Sequence, residues 1–133
     1  MTIEELCAKA NYLAAQAGIM LRWDAEGLEE VETKIMPALQ RNVAAGRLND
    51  IAVHNWAMVF GVYLGELILR DFAAEQGWHW ERESEDGLPV LTDGKQQLNP
   101  AAKVYHRITQ GEADDLRSFY RISRAIVSGK LKF

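Results

Sequence analysis

Twenty-four residues, Ile51 to Ala74 (IAVHNWAMVFGVYLGELILRDFAA), constrain this fold more than any other part of the chain. The segment is too apolar for a surface helix. His54, Asn55, Glu66, Arg70 and Asp71 interrupt it too often for a membrane span, because a charge at mid-bilayer is expensive. The expectation is a helix at the centre of a small soluble domain, with other elements packed round it. Gly61 and Gly65 sit in its middle, and each costs about 0.8–1 kcal/mol relative to alanine in a helix interior. Two such glycines predict that another backbone or a bulky ring comes close there. At 100° per residue, Asn55, Val59, Val62, Glu66 and Arg70 share one narrow stripe. The remaining circumference is mostly apolar, from Ile51, Val53 and Trp56 through Phe60 and Leu64 to Ile68 and Phe72.

The flanking segments read as partners for that helix. Thr2 and Glu5 have capping-box spacing ahead of a helix to Ala17, and Gly18 is a natural stop. Asp24 caps a second helix whose buried side is Leu28, Val31, Ile35, Leu39 and Val43. Pro37 lies inside that pattern and should kink or restart it. Trp78 to Glu83 alternates as a half-buried strand does, Ser84–Gly87 is turn chemistry, and Leu88–Thr92 returns, with Pro89 suited to an edge. Lys95–Leu98 offers a third short strand. Asn99-Pro100 opens a helix, Gln110-Gly111 breaks it, and Glu112–Val127 is the last helix. The tail Lys130–Phe133 is expected to fray. The fold class is therefore α+β: a mostly helical single domain over residues 1–133, with a central buried helix and a small antiparallel sheet near residues 78–98.

Charge is unevenly spread. Residues 1–93 carry 16 acids and 7 bases, whereas residues 94–133 carry 3 acids and 8 bases. Either the fold intermixes these charges, or the acidic part forms a face that meets a basic partner. Arg117, Arg121 and Arg124 have the spacing of a solvated helix face, and the chain is acidic overall, which argues against nucleic acid. No secretory signal is visible at the acidic N-terminus, and the lone Cys7 suits a reducing compartment, so the expected location is cytoplasmic.

Catalytic motifs are absent. His54, His79 and His106 are spaced too widely for a zinc site, no G-x-S-x-G occurs, and Cys7 lies on an apolar helix face where a thiol stays protonated. The glycines of Gly61-Val-Tyr-Leu-Gly65 lie inside a helix, so their amides cannot cradle a phosphate. No metal, no cofactor and no catalytic residue are therefore expected. Glu66 is the chemically interesting group: it follows Gly65 in the most buried helix, and Arg70 lies one turn on, placed for an ion pair. Its bland reading is a packing contact. Its functional reading is a carboxylate in a cleft with Tyr63, Trp78 and Trp80. Trp78 and Trp80, if exposed, would suit a protein partner.

Leu21-Arg-Trp-Asp-Ala-Glu-Gly-Leu28 resembles the "L-D-Y-S-x-E-S-L" opening of a family of small uncharacterised bacterial domains. Asp24 and Gly27 stand where that family has serines. Gly61-Val-Tyr-Leu-Gly-Glu66-Leu-Ile68 is similar to its "G-x-Y-L-G-E-x-I" helix, which a tryptophan hairpin follows, as at Trp78. Pro100, Lys103, Arg107, Gly111 and Phe119-Tyr120 echo its closing pattern. The resemblance spans roughly residues 18–122 and implies no assigned activity.

The functional expectation is a non-enzymatic bacterial protein-binding module. By analogy with other small stand-alone bacterial proteins, it is an immunity protein that neutralises a cognate toxin. The partner would be another protein, a basic toxin in that reading, rather than nucleic acid or a membrane. The alternative is a small-molecule binder or enzyme that uses Glu66, with Arg70 and Tyr63, in a cleft beside Trp78 and Trp80.

Overall fold

Phe60 to Gly65 are six consecutive buried residues in one helix. At 100° per residue, six positions sweep the whole circumference, so this stretch is covered on every side. The computed structural model describes residues 1–130; the expected fraying of Leu131–Phe133 lies outside the described residues. The α+β layout expected from the sequence is the one observed.

Helix α1 (Ile3–Gln16) begins with the capping box: Thr2 Oγ1 accepts from the Glu5 amide at 3.1 Å, and Glu5 Oε1 accepts from the Thr2 amide at 2.9 Å. Leu6, Ala10 and Ala14 form its buried edge, and the two alanines are fully covered. The next helical stretch is α2 (Ala25–Glu30) and α3 (Met36–Ala44), joined by one wide turn, Val31–Ile35. There the Met36 amide reaches back five residues to the Val31 carbonyl. Pro37, second in α3, has no N–H for the usual bond four residues back, and the register change sits beside it. The expected restart at proline is thus a widened turn rather than a break.

Helix α4 (Asp50–Ile68) is the central one, capped by Asn49 through the Ala52 amide at 2.8 Å. It runs on through a second wide turn, Leu69–Ala73, and a tight turn, Ala74–Gln76. By length and composition this helix could cross a membrane, but 61% of its most apolar window is buried inside the domain. Ile51, expected on the covered circumference, is instead largely exposed.

The sheet has strand order β1 (His79–Glu81), β2 (Val90–Thr92), β3 (Gln97–Leu98), all antiparallel, with Trp80 opposite Leu91 and Leu91 opposite Leu98. The strands are shorter than the alternation suggests. Arg82 leaves the ladder to donate to the carbonyls of Gly87 (3.0 Å), Glu85 and Met1 (2.6 Å). β2 is the middle strand, so Pro89 is not on an edge; pairing begins one residue later, where an amide is available. Helix α5 (Pro100–Gln110) lies along α4, and α6 (Leu116–Val127) follows a short turn at Glu112–Asp114, so the last helix starts later than expected.

Both interior glycines of α4 meet a neighbour. A methyl group at Gly61 would stand 2.5 Å from Cα and 2.7 Å from N of Ala101, so α5 crosses here backbone to backbone. A methyl at Gly65 would stand 2.5 Å from Cζ2 of Trp80, so the sheet reaches the helix through that ring. The central helix is therefore fixed between α1, α5, α6 and the sheet.

Candidate functional site

Glu66 projects from α4 toward the hairpin. Trp80 Nε1–H donates to its Oε1 at 2.8 Å, and Arg70 Nε donates to its Oε2 at 3.1 Å. The ion pair expected one turn apart is formed. Arg70 also lies over the Trp23 ring, 4.7 Å from its centroid, a favourable cation–π placement. The Cys7 thiol on α1 is half-buried, and it is pushed up to about 11, first by desolvation and then by the Glu66 charge. It stays protonated at neutral pH, as a thiol on an apolar face should.

The five sequence-chosen residues do not converge on one cleft. Glu66, Arg70 and Trp80 touch. Tyr63 is fully buried elsewhere, with its hydroxyl donating to the Arg22 carbonyl at 2.6 Å and its ring 4.8 Å from Trp23. Burial pushes the Tyr63 phenol well above its ordinary range, ahead of the nearby charges of Asp24 and Glu30. Trp78 precedes β1 and is 4% exposed, part of the core. Arg70 borders a concavity with Trp23, Asp71 and Tyr120, and Glu66, Tyr63, Trp78 and Trp80 are not part of its lining.

Gly27 sits where no side chain fits. A methyl there would stand 2.6 Å from the Tyr63 hydroxyl and closer still to the Arg22 carbonyl, the two groups that bond. Asp24 keeps the capping role a serine would have, accepting from the Gly27 amide at 2.8 Å. That bond, then the Arg22 charge, holds its carboxyl below the usual range.

Sequence reasoning missed the most buried charges. Arg107 on α5 and Glu32, in the wide turn ahead of α3, form an ion pair at 2.8 Å, with side chains 1% and 4% exposed. Glu32 Oε1 also accepts from the Leu116 amide at 2.8 Å, and Arg107 Nη1 donates to Gln40 Oε1 at 2.6 Å. The carboxylate thus ties the wide turn to α5 and to the free first turn of α6, and Arg107 adds α3 through Gln40. Its only sequence signal was a helix-period break at Pro37, beside an acid on the apolar side.

The C-terminal bases pair back onto the acidic part: Arg117 with Glu29 (2.8 Å) and Arg124 with Asp71 (2.5 Å), the latter joined by the Tyr120 hydroxyl. Burial, then the bond to Asp71, raises the Tyr120 phenol to about 12. Arg117 also binds Asp115 at 2.6 Å and holds its carboxyl below the usual range. The hairpin differs. Among the described residues, Glu81, Glu83, Glu85 and Asp86 enter no ion pair, and all four are exposed. Glu85 and Asp86 border a concavity of about 390 Å³ together with Met1, Leu6, Met58 and Val59.

The fold and these arrangements define a helix-dominated α+β domain whose buried ion pair is committed to its own architecture, with no metal-binding cluster among the described residues. Comparison with known protein families, curated proteins and solved structures finds no match for the chain.

Proposed function

We propose that this domain is a non-enzymatic protein-binding module that recognises a basic partner, and that in its bacterial host it acts in the cytoplasm as an immunity protein against a toxin. The observation that carries this reading is the fate of the charges. Arg117 and Arg124 meet acids of α2 and of the helix that α4 begins, while the four hairpin acids are exposed and enter no ion pair among the described residues. Carboxylates left without partners on one surface favour and steer an oppositely charged protein.

Affinity capture from the native host at native expression, with wild-type protein and the E83K/E85K/D86K variant, tests the reading. The expected result is one dominant basic partner, recovered by wild type, lost above roughly 0.5 M salt, where the Debye length falls below about 5 Å, and not recovered by the variant. Recovery of no partner, or equal recovery by both proteins, would remove it.

A further inference from the structure

The concavity beside Glu85 and Asp86 does not end there. A second one, of about 210 Å³, is lined by Lys9, Leu13, Ala52, Asn55, Trp56 and Val59, and the two share Lys9, Asn55 and Val59. They are one furrow between α1 and α4. Leu6 faces Met58 and Val59 at one end, and Leu13 faces Ala52 at the other, so the two helices run antiparallel.

Resting on the protein-binding reading, we propose that this furrow docks an amphipathic helix of the partner, with lysine or arginine at the end that meets Glu85 and Asp86. The floor is apolar, supplied by Leu6, Leu13, Trp56, Met58 and Val59. Along α1 it runs from the first turn at Ile3 to Leu13, 10 rises or about 15 Å at 1.5 Å per residue, room for between two and three turns. A trough between two antiparallel helices takes the side-chain ridge of a third, read as i, i+3, i+4, i+7 anchors. Ile51, 73% exposed, lies on the Asn55 and Met58 face of α4 and lengthens the apolar wall.

The charge of the occupant follows from the furrow's hairpin end. Glu85 and Asp86 have no cationic partner among the described residues. Arg82 braces their loop from within through the Gly87 and Glu85 carbonyls and ties it to the segment ahead of α1 through the Met1 carbonyl, so these carboxylates are pre-organised before anything binds. Lys9, whose side chain also lines the furrow, turns its ammonium to the Tyr12 ring, 5.4 Å from the centroid.

The test is a selection of displayed 18-residue helical peptides on the wild-type protein, followed by affinity measurement of the enriched peptides, synthesised, against two variants. Asn55→Arg obstructs the furrow at an exposed helix position, and E85K/D86K reverses its end. The expected peptides carry an i, i+3, i+4, i+7 apolar stripe with a basic end, and each variant weakens them at least tenfold. Peptides that respond to E85K/D86K but not to Asn55→Arg would overturn the furrow and leave the basic-partner reading intact. No enrichment, or enrichment of acidic or non-helical sequences, would also overturn the furrow, while the host capture separately decides the broader reading. A dimer in light scattering that Asn55→Arg makes monomeric would give the furrow to a second copy and overturn the proposal.

Discussion

Substituting Gly65 by alanine opposes two effects of known sign, and the structure decides which wins. Helix propensity favours alanine by about 0.8–1 kcal/mol. Against this, the new methyl would sit 2.5 Å from Cζ2 of Trp80, more than 1 Å inside ordinary carbon contact near 3.5–4 Å. The indole cannot simply slide, because its Nε1–H is held by Glu66 at 2.8 Å and its strand is paired to β2. Yielding costs the hydrogen bond to a charged acceptor, about 1.5–3 kcal/mol, or a comparable overpacking strain of 1–3 kcal/mol. The net expectation for Gly65→Ala is a loss of about 1–2 kcal/mol. For a chain of this size that corresponds to a fall of roughly 3–8 °C in Tm. A double-mutant cycle isolates the ring. In a Trp80→Ala background the obstacle is gone, and Gly65→Ala should stabilise by close to the propensity difference. The coupling is then about 2–3 kcal/mol, measured by urea unfolding with far-UV circular dichroism. If Gly65→Ala stabilises the otherwise unchanged protein by about 0.8–1 kcal/mol, the ring does not lie against that glycine and the placement of the sheet is wrong.

Three further outcomes test the rest of the structure. Glu32→Ala or Arg107→Ala should each cost about 3–5 kcal/mol in denaturant unfolding, because either leaves a buried charge unpaired, and the Arg107→Met/Glu32→Leu pair should cost less than the two single losses together. Glu66→Gln, which keeps an oxygen for Trp80 and loses only the pairing with half-exposed Arg70, should cost under about 1 kcal/mol; Glu66→Ala orphans the Trp80 N–H and should cost about 1–3 kcal/mol in the same assay. The buried Tyr63 phenol has a raised folded pKa, so its contribution to stability is complete below pH about 10 and disappears as pH rises toward the folded value. Asp115 has a lowered one, so its contribution is complete above pH about 4 and disappears as pH falls through the folded value. Thermal melts across pH should decline at both ends, and Tyr63→Phe should remove part of the alkaline decline; a melt profile unchanged by Tyr63→Phe would contradict the burial of that hydroxyl.

Local chemistry carries far in this chain. Thr2, Asp24 and Asn99 announce their caps because a cap needs only a side chain and an amide three residues away. Gly61 and Gly65 signal close approach, since a helix tolerates their propensity cost only where space is short. Neither signal says what approaches: Ala101 and Trp80 are 40 and 15 residues further on. Arg107 reads in the sequence as one more base of residues 94–133, although it is among the most buried side chains, because its partner Glu32 is 75 residues away and no local pattern links them. Tyr63 and Trp78 looked eligible for a cleft on residue type alone, and packing assigned both to the core.

The order of helices and strands, their caps and the need for a wrapped central helix are written in the residue pattern, because each depends on neighbours within a few positions or on total apolar content. Which charges neutralise one another, which carboxylates stay unpaired and where a furrow opens are settled when α5 and α6 fold back across α2, α3 and α4. Coulomb and packing energies act through space, and distance in space is a property the linear order of residues does not contain.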